Sequence, residues 1–399
     1  MWQALKHKNF RLLWLGQSIS ALGDNAFQIA MNWLIATNFG SVGSMAMVQL
    51  AKDIPSAITR PISGSFIDRY SPKTVFFWIN FVMAAAMGIF TGLSIGDYTN
   101  FGVIVLFAAF FGIIGSTIEP AFFTAIPKST NNSDLESANA LVIFLYSLTG
   151  LIGPVFSAFL IESYGTAFSF GFNAFSFAVA AIVTLFVSLS HQVKTTSKNL
   201  PKLKDAWLWI RQNPWAGRLF ISEALANFAL GFFWVSLPIL LHNSIQINVM
   251  KFSIVYSLVF LGVIIATILS GYYLNRVKDR GLLAYLSLLI LAVLMLLVLI
   301  QSDITSIMTL AMFIGLSLPW FDLITRQALQ EVAPEELLGR LTSIGAFLTI
   351  TPRLMAYTLL LIWNVPLMFL SFATLLIFIF VFRFLITRKT TKTSLSARL

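Results

Sequence analysis

The chain alternates long apolar runs with short polar breaks, and the runs have the length of a bilayer crossing. Twelve stretches are long enough to cross ~30 Å of hydrocarbon as helices. They fall near residues 10–37, 44–66, 74–95, 101–127, 138–161 and 166–189, and then near 218–241, 252–273, 281–300, 306–332, 341–363 and 365–387. Helix is the form they must take, because lipid offers no partner to a backbone N–H or C=O outside its own segment. The pattern predicts an all-α polytopic membrane protein. Its longest break, Ser190 to Gly217, divides the spans six and six. The expected organisation is a six-helix bundle over residues 1–189, a cytoplasmic linker over 190–217, and a second six-helix bundle with a basic tail over 218–399. Within the linker, Asp205-Ala-Trp-Leu-Trp-Ile-Arg211 reads as a short interfacial helix, and Met1–Lys6 reads similarly ahead of the first span. Ser133-Asp-Leu-Glu136 reads as a capping box opening the fifth span, and Pro334-Glu-Glu as the start of the eleventh.

The two halves repeat. Gly64-Ser-Phe-Ile-Asp68-Arg69, followed by Lys73, closes the second run of the first half. Gly271-Tyr-Tyr-Leu-Asn275-Arg276, followed by Lys278 and Arg280, closes the second run of the other half, 207 residues later. Arg11 and Arg218, at the start of each half's first run, keep the same separation. A basic loop recurring at one place in two halves of a hydrophobic chain is the mark of a duplicated membrane bundle.

Composition narrows the class further. Hydrophobic residues make up 58% of the 399 and charged residues 11%, too few charges to cover a water-soluble surface. The 38 phenylalanines suit lipid-facing helices. The net charge of +10 is not a nucleic-acid footprint, because 21 of the 26 Lys and Arg residues sit in the even-numbered connections and the two tails. That asymmetry predicts a multi-pass protein of the cytoplasmic membrane with both termini in the cytoplasm. The first span is too long and too polar for a cleavable signal. With no cysteine, disulfides and thiolate metal sites are excluded. His7, His191 and His242 lie in loops or tails without metal spacing or a nucleophile beside them, so neither a cofactor nor an enzymatic centre is expected. No Gly-rich loop ending in Lys-Ser/Thr supports direct nucleotide use.

Nine ionisable residues fall within the spans: Asp24, Asp53, Glu119, Glu223 and Asp322, with Lys52, Arg60, Arg326 and Arg353. Each costs at least ~2.5 kcal/mol near the bilayer centre unless it meets a partner or a wet cavity. Asp24 lies ~21 Å along the first helix from Phe10. Gln17, Asp24, Gln28 and Asn32 make one polar stripe there, which marks a cavity wall. Asp24 is the first candidate for taking up and releasing a proton, with a polar packing knot with Gln28 and a neighbouring span as the alternative. Glu223, four residues from Asn227 in the seventh span, and Glu119, before Pro120 in the fourth, come next; interfacial anchoring is the alternative for Glu223.

The remaining charges are weighed for the cavity. Asp322 and Arg326, four apart, are expected to pair along their own helix. Arg353 lies ~18 Å into the eleventh span without an acid on its own helix, and needs a partner across the cavity or an anionic substrate group. Lys52 and Asp53 point ~100° apart and cannot share one partner, whereas Asp53 and Arg60 share a face. Trp33, Trp234 and Trp320 are candidates for stacking on a ligand, with helix packing as the plainer reading.

Gly64, Asp68, Arg69 and Lys73 resemble the signature loop of the major facilitator superfamily, with Ser71 and Pro72 where a glycine and a basic residue are usual. Gly150-Leu-Ile-Gly153-Pro154 resembles the Gly-Pro motif of its proton-driven exporters, with Ser157-Ala158 in place of a glycine pair. Gly16-Gln17…Leu22-Gly23-Asp24 and Gln327-Ala-Leu-Gln-Glu…Pro334-Glu-Glu-Leu-Leu-Gly339-Arg340 resemble the drug:proton antiporter branch that holds macrolide efflux pumps and peptide-antibiotic exporters. The arginine usual in the fourth span of such exporters has no counterpart, since no Lys or Arg occurs from Thr74 to Pro127. Another cation substitutes, or the coupling differs.

The resemblance implies a twelve-helix secondary transporter that exports a small amphipathic or zwitterionic compound by alternating access and proton antiport. Its partners would be that compound, protons and the lipid bilayer, with no nucleic acid, and it would work as a monomer. Asp68 would latch a neighbouring helix or a basic side chain at the cytoplasmic end of the second span; the plainer reading has the loop anchored at the headgroups. Asn275 in the second copy cannot form an ion pair, which makes the latch asymmetric. Ser20-Ala-Leu-Gly-Asp24-Asn-Ala26 also resembles the lysolipid transporters, so a lysophospholipid flippase or a solute importer on the same fold is the alternative. A non-transporting receptor or scaffold fits the charged cavity and the gate motif less well.

Overall fold

The computed structural model describes residues 2–188, 203–273, 280–363, 371 and 374–381. Side chains at 61–69, 132, 203, 244, 271, 273, 280–281, 321–322, 326, 330, 335–336 and 339 lie outside the described set. Among the described residues the fold is all helix, with no strand. The long helices are α1 (Lys8–Asn38), α2 (Val42–Arg69), α3 (Pro72–Ile95), α4 (Phe101–Gly115), α5 (Ile118–Ser129), α6 (Leu135–Tyr164), α7 (Thr166–Leu185), α8 (Leu203–Gln212), α9 (Pro214–Ile239), α10 (Val249–Tyr273), α11 (Arg280–Ile300), α12 (Ile304–Val332) and α13 (Glu335–Trp363). Helix continues at 374–381, and the rest of the expected twelfth span lies outside the described residues.

Nine helices among the described residues are long and apolar enough to cross a membrane. α1 and α2 are absent from that set although they run to 31 and 28 residues. Their polar stripe and intramembrane charges dilute the hydropathy, the signature of helices facing protein or water more than lipid.

Local chemistry fixes the helix ends. Ser71 caps α3 by accepting from the Thr74 N–H at 3.1 Å, and Pro72 takes the first helical position, where its missing N–H costs nothing. This accounts for the two departures from the usual loop motif. Asn100 caps α4 from the Val103 N–H at 3.0 Å, and Asp303 caps α12 from the Ser306 N–H at 2.8 Å. Those hydrogen bonds hold the exposed Asp303 carboxyl below its ordinary pKa. α6 ends at Gly165, whose φ of +85° only glycine adopts without strain. The capping box expected at Ser133–Glu136 does not form. Residues Asn132–Asp134 make a 3-10 turn, α6 starts at Leu135, and the Asp134 carboxylate instead meets His7 Nε2 at 2.7 Å. The N-terminal turn, Trp2–Lys6, is tied to the same place by the Ala4 N–H, which donates to Ser137 Oγ at 3.1 Å.

The fourth span breaks in two. α4 stops at Gly115 and α5 begins at Ile118, which puts Pro120 in the first turn of a new helix, where no N–H is missed, instead of inside a continuous ladder. Glu119 then lies at the positive end of α5's dipole.

The Cα positions group into two compact units. The first comprises Met1–Gly40, Met47–Thr195 and Ile247–Ser257; the second comprises Ser41–Ala46, Thr196–Gln246 and Leu258–Leu399. In the first, α1 packs on α6 and α7, and α7 packs on α3. Phe90 and Phe107 stack at 4.2 Å, and Phe27 and Phe111 at 5.0 Å, giving that unit a phenylalanine core. In the second, α9 packs on α13, α11 and α12. The amphipathic α8 seats Ala206 and Ile210 against Phe220, Leu329, Leu341 and Ile344, while Trp207 stays exposed.

Each unit has one seam where backbones nearly touch. A Cβ on Gly112 of α4 would lie 2.0 Å from the Lys52 carbonyl oxygen of α2. A Cβ on Gly315 of α12 would lie 2.0 Å from the Val259 carbonyl oxygen of α10, and one on Gly262 would lie 2.2 Å from the Met312 oxygen. Lys52 and Val259 are 207 residues apart, the spacing of the two loop motifs. Duplication thus shows in packing as well as in sequence. Gly112→Ala and Gly315→Ala are expected to destabilise by about 1–3 kcal/mol through overpacking, lowering the melting temperature in detergent. Gly88→Ala in α3, where a Cβ meets nothing within 4 Å, is expected to leave it unchanged or raise it. Equal melting temperatures for all three variants would refute the close-contact account.

Candidate functional site

In the first unit, α1 turns its polar stripe toward a cavity of about 360 Å³. The walls are Gln17, Asp24, Phe27 and Gln28 from α1, Phe111 and Gly115 from α4, Ile118 and Glu119 from α5, and Tyr146 from α6. Two carboxylates, two amides, a phenol and two phenyl rings thus surround one space. The gap between α4 and α5 opens one side of it.

Asp24 is held in place from behind. Gly23 has no side chain, and a Cβ there would come within 2.2 Å of Ser176 Oγ and 2.5 Å of Asn173 Oδ1 on α7. The missing side chain lets α7 bring its buried polar pair against α1. Asn173 Nδ2 donates to Asp24 Oδ1 at 3.4 Å, and Ser176 Oγ donates to the Asn173 carbonyl at 2.8 Å. Gln28 bonds Asn32, with its Nε2 3.0 Å from Asn32 Oδ1, so of the packing knot read at Asp24 the contact to a neighbouring span forms and the one to Gln28 does not. Gln17 Nε2 reaches Tyr146 Oη at 3.5 Å, while its Oε1 is buried without a protein partner.

Three of these residues escaped sequence reasoning. Tyr146 had no distinguishing signal. Asn173 and Ser176 had one: Ser169, Asn173 and Ser176 recur at helical spacing in an apolar span and are all fully buried.

The Gly-Pro motif lies directly beside Asp24. A Cβ on Gly153 would meet Asn25 Cβ at 2.4 Å, and Ser157 Oγ donates to the Ala26 carbonyl at 2.8 Å. Pro154 carries no N–H for the carbonyl of the buried Gly150 one turn earlier, which weakens the α6 ladder at this contact. Ser157-Ala158 takes the place of the usual glycine pair because the hydroxyl has a carbonyl to bond.

The charges of α2 find partners both on their own helix and on a neighbouring one. Lys52 Nζ reaches back to Asp53 Oδ1 at 3.8 Å, because a four-carbon stem can span adjacent positions. Arg60 bonds not Asp53 but Glu119 on α5, an ion pair at the cavity rim with both partners half exposed. Next to it, the hydroxyls of Thr59 and Ser116 are 2.8 Å apart, joining α2 to the α4–α5 break. Arg60 thus places a cation beside the α4–α5 break, away from the fourth span's own Lys128 in the last turn of α5. Of the loop motif, Gly64, Asp68 and Arg69 lie in the last turns of α2 with side chains outside the described residues, as are Asn275, Arg276 and Lys278. Lys73 is described: its Nζ donates to the Leu185 carbonyl at 2.7 Å, a cation at the C-terminus of α7.

In the second unit the polar residues gather on the α9–α13 seam. Thr349 Oγ1 donates to Glu223 Oε1 at 3.3 Å, and one turn on, Arg353 Nη2 donates to Asn227 Oδ1 at 2.6 Å. The Asp322 and Arg326 side chains lie outside the described residues. Trp320 Nε1 bonds the Leu316 carbonyl of its own helix at 2.8 Å, and Trp234 lies edge-on to Phe233 at 5.2 Å. Trp33 lies edge-on to Phe252, 5.5 Å away in the 247–257 segment that groups with the first unit. These contacts are helix packing of the ordinary kind.

Residues 13–351 match the profile of the Major Facilitator Superfamily. Macrolide efflux protein A of Streptococcus pyogenes is 22% identical over 351 residues, covering 85% of this chain and 86% of that protein. A crystal structure of a bacterial homologue of the iron transporter ferroportin superposes with a TM-score of 0.70 at 16% identity, over 94% of this chain and 98% of the other. A bacterial homologue of the human lysosomal transporter Spinster does so with 0.70 at 13%, over 96% and 98%. At such identities the solved structures speak for the fold. The profile match begins inside α1 and ends inside α13, just before Arg353, and on that extent the chain belongs to the Major Facilitator Superfamily and is a transporter, not an enzyme.

Proposed function

We propose that this transporter is a proton-coupled exporter of the cytoplasmic membrane, moving a small amphipathic or zwitterionic compound by alternating access. In this reading it works as a monomer with both termini in the cytoplasm. Two six-span bundles, 1–189 and 218–399, are joined by the 190–217 linker. The observation that carries the reading is Asp24: a carboxylate on the wall of a cavity, deep in a membrane span, whose protein contact is one long amide hydrogen bond. A carboxyl so placed takes up a proton when the cavity is dry and releases one when water or a cation enters. Phe27 and Phe111 give the same space an apolar wall, which suits an amphipathic ligand. The efflux named for the streptococcal relative supports the outward direction.

Glu119 and Glu223 are second in line for the proton. Each already has a partner, Arg60 and Thr349 respectively, so exchange there must first break a bond.

Asp24→Asn keeps the shape and the contact with Asn173 but cannot titrate. In proteoliposomes with an imposed pH gradient, it is expected to abolish uphill substrate movement while substrate affinity stays within about tenfold, or ~1.4 kcal/mol. Uphill pumping by the Asn variant with normal proton flux would move the coupling site elsewhere.

Asp68 acts in this proposal as the gate latch at the end of α2. Asp68→Asn is expected to slow transport at unchanged expression, because it loosens a closed state without emptying a core. Wild-type transport rates from Asp68→Ala at matched protein level would remove the motif from gating.

A further inference from the structure

We infer that Arg353, on the α9–α13 seam of the second unit, is the receptor for a carboxylate or similar oxyanion on the compound this protein carries. The inference relies on the transport reading only for that compound being cargo, and the binding itself is measured without transport.

The surroundings of Arg353 are built for a cation and, among the described residues, hold no anion to match it. Gly231 on α9 makes room for the stem: a Cβ there would lie 3.2 Å from Arg353 Cγ and 2.7 Å from Ala356 Cβ. One turn earlier on α9, Asn227 is 4% exposed, and its side-chain amide is held by a hydrogen bond from Nδ2 to the Glu223 carbonyl at 2.9 Å. That contact aims Oδ1 at Arg353 Nη2, 2.6 Å away. One end of the fork is therefore positioned by a neutral oxygen. The guanidinium Nε is buried and has no hydrogen-bond partner among the described residues. Among them, too, no carboxylate comes within the 4.0 Å of an ion pair. The nearest acid along α9, Glu223, stands one turn away and accepts from Thr349.

Arginine stays charged at any accessible pH, so the site cannot relieve this imbalance by losing a proton. Its planar fork matches two coplanar oxygens, and a carboxylate meets it bidentately. The location is apt as well. α9 is the most buried of the nine apolar spans, and with α13 it forms the counterpart of the α1–α6 seam whose Gln17 and Tyr146 line the cavity of the first unit. A fixed cation on such a seam, oriented but not neutralised, selects a negative group.

The test uses the full chain purified in a neutral maltoside detergent, with two fluorescent probes of one scaffold: dansylglycine, which carries a carboxylate, and dansylamide, which does not. The expected result is tighter binding of dansylglycine by the wild type. Arg353→Gln should weaken dansylglycine by about tenfold or more and leave dansylamide within about twofold. Arg353→Lys, which keeps the charge but not the fork, should fall between. Asn227→Asp supplies a carboxylate from within, so it should weaken dansylglycine as strongly as Arg353→Gln while raising the melting temperature. Those opposite signs separate an anion receptor from a merely structural arginine, and this variant decides alone if Arg353→Gln fails to fold. Displacement of dansylglycine by phosphatidylglycerol but not phosphatidylcholine would identify a lipid headgroup as the oxyanion, and no displacement by either a free solute. Equal binding of both probes by the wild type, binding of neither, or unchanged dansylglycine affinity in the Gln and Asp variants would overturn the inference.

Discussion

Inside a bilayer a polar side chain cannot turn to bulk water, so it must bond its own backbone, a neighbouring helix or the wall of a wet space. The fold sorts its residues by that constraint. Thr91, Thr149, Thr184 and Ser236 return their hydroxyl protons to the carbonyl one turn back and ask nothing of the neighbours. Asn173 and Ser157 are too deep for solvent and reach across to α1. Among the buried groups that neither route satisfies, Gln17 Oε1 belongs to the cavity of the first unit and Arg353 Nε to the α9–α13 seam of the second.

Glycine decides which seams can carry this chemistry. At Gly23 and Gly231 the missing side chain lets a polar group approach that a methyl would displace. At Gly112, Gly262 and Gly315 it lets backbone meet backbone, and no polar side chain intervenes. One residue type thus builds both the seams that hold polar groups and those that exclude them. Neighbouring context makes the difference: an asparagine and a serine on α7 opposite Gly23, a carbonyl opposite Gly112.

Much of this was legible in the chain. Span lengths gave the helices, since hydrophobic thickness leaves little freedom, and the stripe from Gln17 to Asn32 foretold a wet face on α1. Pairings were another matter. Periodicity put Arg60 on one face with Asp53, but its partner is Glu119 on α5, which an argument confined to one helix does not reach. Inside the expected capping box, Asp134 bonds His7, 127 positions away, a contact no local pattern registers. Arg353 was recognised as needing company, but nothing in the sequence singled out Asn227 as what it would find.

The seam joining α10 to α12 has a mechanical consequence. Two helices whose backbones interlock through Gly262 and Gly315 have no side chains between them to act as bearings. They cannot slide along one another or roll without driving a carbonyl into a Cα, so they behave as a single girder. Deformation in the second unit is thereby channelled to other boundaries, where hydrogen-bonded rungs can part and re-form. The α9–α13 boundary has two such rungs, Thr349 to Glu223 and Arg353 to Asn227. In the second unit, the glycine contacts lie on one boundary and the hydrogen-bonded rungs on the boundary where the fixed charge resides.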